Sequence, residues 1–215
     1  LIFTLEGIDA SGKATQAKKL VAKLEKLFPA CVQAFDFPRY QTRSGQALAS
    51  LLKQEWFPEA HAGASVDLVA LRALVLQSLM TTNRLEHFDM LRRYCGAPGE
   101  FLVLDRYYAS GLVYGEADGL PLDYLLDIHQ ALPPSDLWLF IDIPSEESRK
   151  RRPERRDEYE KRAGFMEKVR EGYLRLFADP VRVGGKMVVV NGLGTAEEVH
   201  DRIIEAVMPF LGGVP

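Results

Sequence analysis

An α/β fold, with a parallel sheet covered by helices on both faces, is what this sequence predicts, and three observations predict it. Short apolar runs alternate with longer stretches of helical period from one end of the chain to the other, the pattern of strand–helix–strand units. The first run, residues 1–5, passes straight into Gly7-Ile8-Asp9-Ala10-Ser11-Gly12-Lys13 and then into a helical pattern. Three of the runs end in polar residues, at 7–15, 36–40 and 105–108, and in a parallel sheet ligands bind where strands end.

Each element follows from its own pattern. After the glycine loop, Ala17, Leu20, Val21, Leu24, Leu27 and Phe28 recur at helical spacing with lysines opposite, and Pro29 closes that helix. Residues 31–35 read as a second strand, 46–53 as a short helix, and 56–64, with Pro58 and Gly63, as a loop. Ser65 is placed to cap one long helix over 66–94. The first half of that helix is apolar nearly all round, and a helix apolar on every side is buried on every side. It lies either at the centre of one subunit or between the sheet and a twin subunit. The length of the run favours the twin, hence a homodimer. Residues 101–104 form a third strand, 107–116 and 122–131 two helices, and 137–143 a fourth strand with a single charge, as a strand covered on both faces requires. Ser145 is read as the cap of the next helix. A basic segment at 149–162 precedes a helix ending near Phe177. Residues 187–190 give the fifth strand, and Thr195 with Glu198 a capping box for the last helix.

Composition sets outer limits. A chain of 215 residues, 47% hydrophobic and 27% charged, fits one large globular domain. No apolar run approaches a membrane span, and no leader-like segment precedes the first strand. The expected location is therefore cytoplasmic and not secreted, with an organellar or nuclear one left open. Cys31 and Cys95 have neither disulfide-framework nor zinc spacing. His61, His87, His129 and His200 are scattered without ligand spacing, which argues against a histidine metal site. The net charge of −3 argues against a general nucleic-acid binder. That charge is uneven: residues 149–162 hold eight Lys/Arg and four Asp/Glu, a local +4 that leaves −7 for the remainder. A small anionic ligand is the economical explanation.

The glycine loop has the strand–loop–helix context of a phosphate-binding P-loop. Its glycines let backbone N–H groups turn inward around an anion, the new helix adds the positive end of its dipole, and Lys13 adds a full charge. The expectation is thus a three-layer P-loop NTPase fold, one domain over 1–215, with a five-stranded parallel sheet and a helical lid at about 149–162. Phosphoryl transfer asks a protein mainly to position two anions and to neutralise the charge between them. Lys13 and the loop amides suit the donor. Arg39 and Arg106, at neighbouring strand ends, suit the acceptor's phosphate. Arginines between 149 and 156 suit a closing lid, and Asp105 stands where an acid meets a metal's water shell. Neither Asn-Lys-x-Asp nor Thr-Lys-x-Asp occurs, which argues against a GTPase switch.

The combined motifs resemble the thymidylate (dTMP) kinases. They are Gly7-x-Asp9-x-x-Gly12-Lys13-x-Thr15, Phe37-Pro38-Arg39-Tyr40, Asn83-Arg84, Asp105-Arg106-Tyr107-x-x-Ser110, Leu132-Pro133-x-x-Asp136 and Asp157-x-Tyr159-Glu160. The resemblance implies transfer of the ATP γ-phosphate to dTMP with Mg²⁺, giving dTDP and ADP in dTTP synthesis. On the ATP side it implies Gly7, Ala10, Ser11, Gly12, Lys13, Ala14 and Thr15, then Arg149, with Asn191 and Gly192 near adenine. On the dTMP side it implies Phe37, Pro38, Arg39, Tyr40, Met80 and Arg106, with Tyr159 from the lid. There Arg84 would hydrogen-bond the thymine, Ser110 and Gly111 would line its polar edge, and Tyr114 would pack under the deoxyribose. Asp9 would lie between donor and acceptor. Catalytic roles fall to Asp9, Lys13, Arg106, Arg152 and Arg156, and metal contacts to Asp9, Asp105 and Glu160.

Three positions depart from the family's pattern. Met80 replaces an aromatic that stacks on the base, Ala10 stands where some relatives carry an arginine, and Ala14 removes a hydroxyl that meets the metal. The last two shift charge handling to the lid. Met80 and Ala14 keep open a related deoxynucleoside or other nucleoside monophosphate kinase. Ala14 keeps open, further off, a nucleotide-binding module without activity.

Overall fold

The computed structural model describes residues 1–53, 68–152, 162, 164–179 and 182–212. Its elements in chain order are β1 (Ile2–Glu6), α1 (Lys13–Leu27), β2 (Val32–Asp36), α2 (Arg43–Leu52), α3 (Leu68–Leu85), α4 (Phe88–Tyr94), β3 (Phe101–Asp105), α5 (Tyr108–Ala117), α6 (Leu122–His129), β4 (Leu137–Asp142), α7 (Ser145–Arg151), α8 (Phe165–Ala178), β5 (Lys186–Asn191) and α9 (Ala196–Leu211). All five strands are parallel, in the order β2-β3-β1-β4-β5. The glycine-loop strand therefore sits in the middle, flanked by Leu102 opposite Ile2 and Leu137 opposite Phe3. No described helix is long and apolar enough to cross a membrane.

Strand alternation sorts the core into two layers. Phe3, Leu5, Val103, Leu139 and Ile141 face α1 and α9, where Leu20, Leu24, Ile203 and Val207 meet them. Ile2, Leu102, Leu104, Trp138 and Phe140 face the other way, against Leu112 of α5 and Val169, Tyr173 and Phe177 of α8. Each fully buried Phe or Leu here contributes about 1.5–3 kcal/mol relative to leaving it exposed. The same alternation carries Thr4 and Glu6 into the second layer, both fully buried. Thr42 caps α2 by accepting from Gly45 N, and Thr195 with Glu198 forms the capping box expected for α9, each cap worth about 1 kcal/mol.

Several expected bounds change; the helix read over 46–53, for one, begins at Arg43 behind the Thr42 cap. The helix expected over 66–94 is two helices: α3 stops at Leu85 and α4 restarts at Phe88. No Gly or Pro marks the break. Tertiary contacts make it, with Glu86 accepting from Ser44 Oγ at 2.9 Å and the His87 ring set edge-on to Phe35 at 4.7 Å. Ser145 is the first helical residue of α7 rather than its cap, which is Pro144. The second strand ends one residue later than read, at Asp36, because its ladder with β3 runs to Asp36 opposite Asp105. The loop read over 56–64 and the cap at Ser65 lie outside the described residues.

Candidate active site

The loop after β1 is closed by backbone geometry that only certain residues allow. Gly7 has φ 154° and Gly12 φ 97°. A Cβ on Gly7 would stand 2.6 Å from Ser11 Oγ and 2.8 Å from the Ile141 carbonyl, so the turn requires glycine there. Lys13 opens α1 almost completely buried, its Nζ donating to Ile8 O at 2.8 Å and to Ser11 Oγ at 3.4 Å. Burial first, and then the Arg106 charge, bring the Lys13 ammonium down to about 8, against the opposing pull of Asp9, Asp105 and Glu6. Its hydrogen-bond acceptors are neutral, and an anionic phosphate is a stronger partner than either. Ala14 and Thr15 lie exposed on the first turn of α1.

Next to the loop, Arg106 adopts a left-handed backbone, φ 67°, at the junction of β3 and α5. Its Nη2 donates to Asp9 Oδ1 at 2.5 Å, its Nη1 to Ser110 Oγ at 3.2 Å, and the guanidinium lies 5.5 Å from the Tyr114 ring. Burial pushes the Asp9 carboxyl up, but Arg106 and Lys13 together hold it below the usual carboxylate range. Burial likewise works against the Arg106 cation, while Tyr114, Asp9, Tyr173 and Glu6 keep it raised well above its ordinary value.

Glu6 organises this corner and is absent from the residues expected of the site. Its Oε1 accepts from Tyr107 N at 2.8 Å and Ser110 N at 3.3 Å, its Oε2 from Ser110 Oγ at 2.6 Å and Tyr173 Oη at 2.8 Å. Burial pushes its carboxyl up, opposed by the Ser110 hydrogen bond and the Arg106 charge. Donors on both oxygens favour the carboxylate. No side chain of its own caps α5. Glu6 does so from the neighbouring strand, satisfying its first amides and complementing its dipole. The signal was a lone acid closing an apolar strand directly before Gly7.

Beyond Arg106 opens a cavity of about 200 Å³. Asp9, Arg106, Ser110, Gly111 and Tyr114 line it together with Phe37, Pro38 and Tyr40 of the loop after β2 and Leu76, Gln77, Met80 and Arg84 of α3. Arg84 is 3% exposed. Its Nη2 donates to Tyr107 O at 3.0 Å and its Nη1 lies 3.1 Å from His129 Nε2, while its Nε, like Gln77 Oε1, is buried without a hydrogen-bond partner. Burial brings the guanidinium down to about 10, against the pull of Glu6, so it stays charged at neutral pH. Asn83 ties the preceding loop to α3: its Oδ1 accepts from Arg39 N at 2.7 Å, and its Nδ2 reaches Thr42 Oγ1 at 2.9 Å.

The expected site residues do not all converge. Arg39 lies outside the cavity lining, its Nη1 paired with Asp36 Oδ1 at 2.5 Å and its guanidinium 4.4 Å over the Phe35 ring. Asp105 ends β3 beside Lys13, whose charge it favours. Arg149 is exposed, its Nε donating back to Ser145 O at 3.4 Å. Instead Arg151 reaches the loop after β5, its Nη2 donating to Gly192 O at 3.1 Å. Asn191 Oδ1 accepts from Leu193 N at 3.0 Å. Gly192 is required by packing, since a Cβ would stand 2.7 Å from Ile141 and Ile143 methyls. Arg152 lies near enough to help hold Asp9 ionised. Arg156, Tyr159 and Glu160 lie outside the described residues.

Against known proteins, the family model for thymidylate kinase matches residues 5–203. A probable thymidylate kinase of Thermococcus onnurineus is 29% identical over 209 residues, covering 96% of this chain and 97% of that protein. A thymidylate kinase of Symbiobacterium thermophilum is 31% identical, covering 97% and 94%. The solved structure of a thymidylate kinase from Candida albicans, titled for its broad substrate specificity, superposes with a TM-score of 0.71 at 26% identity, covering 97% of this chain and 91% of that one.

Proposed function

This chain belongs to the thymidylate kinase family, and we propose that its site transfers the γ-phosphoryl group of ATP to dTMP, giving dTDP and ADP. The observation that carries this reading is that one cavity is lined both by the Asp9–Arg106 pair, beside the P-loop, and by the buried Arg84 cation. Such a cavity suits a nucleoside monophosphate, with its phosphate at Arg106 toward the donor and its base at Arg84. ADP release measured with dTMP, dUMP, dGMP, dCMP, AMP and thymidine tests it. The expected result is strong preference for dTMP, and preference for a base other than thymine or uracil would sink it.

In this reading the loop amides at 7–13 and Lys13 hold the donor's phosphates, and Arg106 binds the acceptor's phosphate. Asp9 orients Arg106 and the acceptor sugar between the two substrates. Arg84 donates to the thymine, Met80 covers its face, and Tyr114 closes the space a 2′-hydroxyl would need. Arg39 swings from Asp36 to the acceptor phosphate. Asn191 and Gly192 border the adenine. The segment about 149–162, with Arg149, Arg152, Arg156 and Tyr159, acts as a lid within a single domain that excludes water. For Mg²⁺, the donor set is of the right kind: Asp9 and Asp105 offer hard carboxylate oxygens at neighbouring strand ends, with Glu160 as the lid's contribution, and Mg²⁺ takes one or two carboxylates plus substrate phosphates. When bound it supplies neutralisation of phosphate charge. We place the enzyme in the cytoplasm as a homodimer. The dimer would form through α3, where Leu74 and Leu85 are 37% and 39% exposed; light scattering that returns only the 24.2 kDa mass of one chain ends the dimer reading.

A further inference from the structure

We propose that His129 is a positioning residue for base recognition, its Nε2 lone pair holding the Arg84 guanidinium in the orientation that reads a ring carbonyl. The inference rests on the reading of the cavity as the dTMP site.

The hydrogen-bond pattern settles which nitrogen carries the proton. His129 Nδ1 lies 2.6 Å from Leu125 O, which can only accept, so Nδ1 is the N–H and Nε2 the lone pair. Two groups approach Nε2 at 3.1 Å, Arg84 Nη1 and Thr81 Oγ1. The Thr81 hydroxyl has one proton and a carbonyl to give it to, Gln77 O at 2.9 Å. The lone pair therefore serves Arg84, which can only donate. With Tyr107 O on Nη2, the guanidinium is clamped between two acceptors from different elements, α6 and the β3–α5 junction. Gly111 makes the approach possible: a Cβ there would stand 2.8 Å from His129 Nε2 and 3.2 Å from Arg84 Nη1.

The identity of the clamp matters more than its strength. A carboxylate in the same place would fix the guanidinium and also neutralise it. A neutral imidazole fixes it and leaves the charge for the ligand. Arg84 Nε remains buried without a partner beside the cavity, and a pyrimidine carbonyl is the kind of group it lacks. A ring bearing an amino group instead would set N–H against N–H, and such mismatches cost more than a missing contact. The groups facing the imidazole are Arg84 and Thr81 from α3 and the Tyr108 ring from α5, stacked at 5.8 Å. The one charged group among them, Arg84, opposes protonation. Burial first, then Arg84, bring the imidazole down to about 3 against the Leu125 hydrogen bond, so the acceptor state persists at any physiological pH.

The test compares wild type, His129→Leu and His129→Gln, the last keeping an acceptor oxygen, for kcat/KM with dTMP and with dCMP and for the KM of ATP. His129→Leu is expected to lower the dTMP/dCMP preference about tenfold, mostly through the KM of dTMP. The KM of ATP should stay unchanged, and His129→Gln should restore most of the preference. A merely structural role would lower both substrates in parallel, and that result overturns the proposal. Should the leucine variant fail to fold, ¹⁵N NMR of the wild-type histidines decides. A neutral Nδ1–H tautomer at pH 7 supports the clamp, and an Nε2–H tautomer or an imidazolium overturns it. A wild type that does not phosphorylate dTMP would sink the functional reading and this inference with it. A wild type that does, beside a leucine variant of unchanged preference, sinks only the inference.

Discussion

The loop at 7–13 and the cavity beyond it are built by different means. The loop works through backbone: two glycines at positive φ and one lysine tied to the Ile8 carbonyl. The cavity works through side chains: Arg84 and Ser110 line it, and Glu6, His129 and Tyr173 stand behind them, each of the five fixed by another of the set or by a backbone carbonyl. A backbone site tolerates varied side chains and needs only the right turns. A side-chain network is unforgiving, because removing one member leaves the others buried and unsatisfied. In the proposed reading, the donor side can therefore be shared among many phosphate-binding proteins, while the acceptor side carries the selectivity.

The sharpest way to break this contrast is at Glu6. Glu6→Leu strands two amides and two hydroxyls and removes one of the two carboxylates near Arg106, leaving Asp9. It should cost about 3–5 kcal/mol and lower the thermal midpoint by about 10 °C or more. An unmoved melting curve would mean that the network is not what holds α5. Next comes Arg106→Ala, expected to lower kcat/KM for dTMP roughly thirty- to 160-fold, about 2–3 kcal/mol. Wild-type steady-state kinetics would remove Arg106 from the acceptor site. Gly111→Ala should raise the KM of dTMP by about tenfold through overpacking of about 1–2 kcal/mol, with the KM of ATP unchanged.

A smaller effect is expected from pH. His129 is held neutral in the fold, brought down to about 3 mainly by burial, whereas an exposed histidine titrates near 6.5. Between those values the unfolded chain binds a proton that the folded chain refuses. Stability is thus full above pH 6.5 and falls as pH drops toward 3. Denaturant titrations of wild type and His129→Gln across pH 4–7 should differ in slope, the variant being flatter. Smallest of all is Arg39→Ala. Its ion pair with Asp36 is exposed, the side chains 32% and 63% accessible, and is worth less than about 1 kcal/mol to stability. Melting should not change, while a severalfold rise in the KM of dTMP would show the arginine leaving Asp36 for the substrate.

What the sequence disclosed follows the same divide. The sheet was legible because apolar runs and turn residues are local signals. The P-loop was legible because its glycines are consecutive demands on one turn. Arg106 was read from its place at a strand end, and Asp9, Arg84, Ser110 and Tyr114 through motif resemblance; all five line one cavity. His129 was read as one of four scattered histidines, since nothing local indicates that α6 will set it against Arg84. Glu6, between the first apolar run and Gly7, was not singled out. The break at Glu86–His87 was missed because contacts to Ser44 and Phe35 from distant segments cause it. The Asp36 partner of Arg39 lies only three residues away, yet a loop gives no spacing rule that would predict the pair.

The alternation of β1 has a consequence for insertions and deletions. Phe3 and Leu5 face one layer, Thr4 and Glu6 the other, so the strand is in effect a ruler only one residue fine. One residue gained or lost within Ile2–Glu6 would turn every side chain to the opposite face. The carboxylate would be driven among Leu20, Ile203 and Val207 while the glycine loop stayed intact in sequence. Such a chain would keep every recognisable motif and lose the site. Length in this strand is accordingly under tighter constraint than any single residue within it.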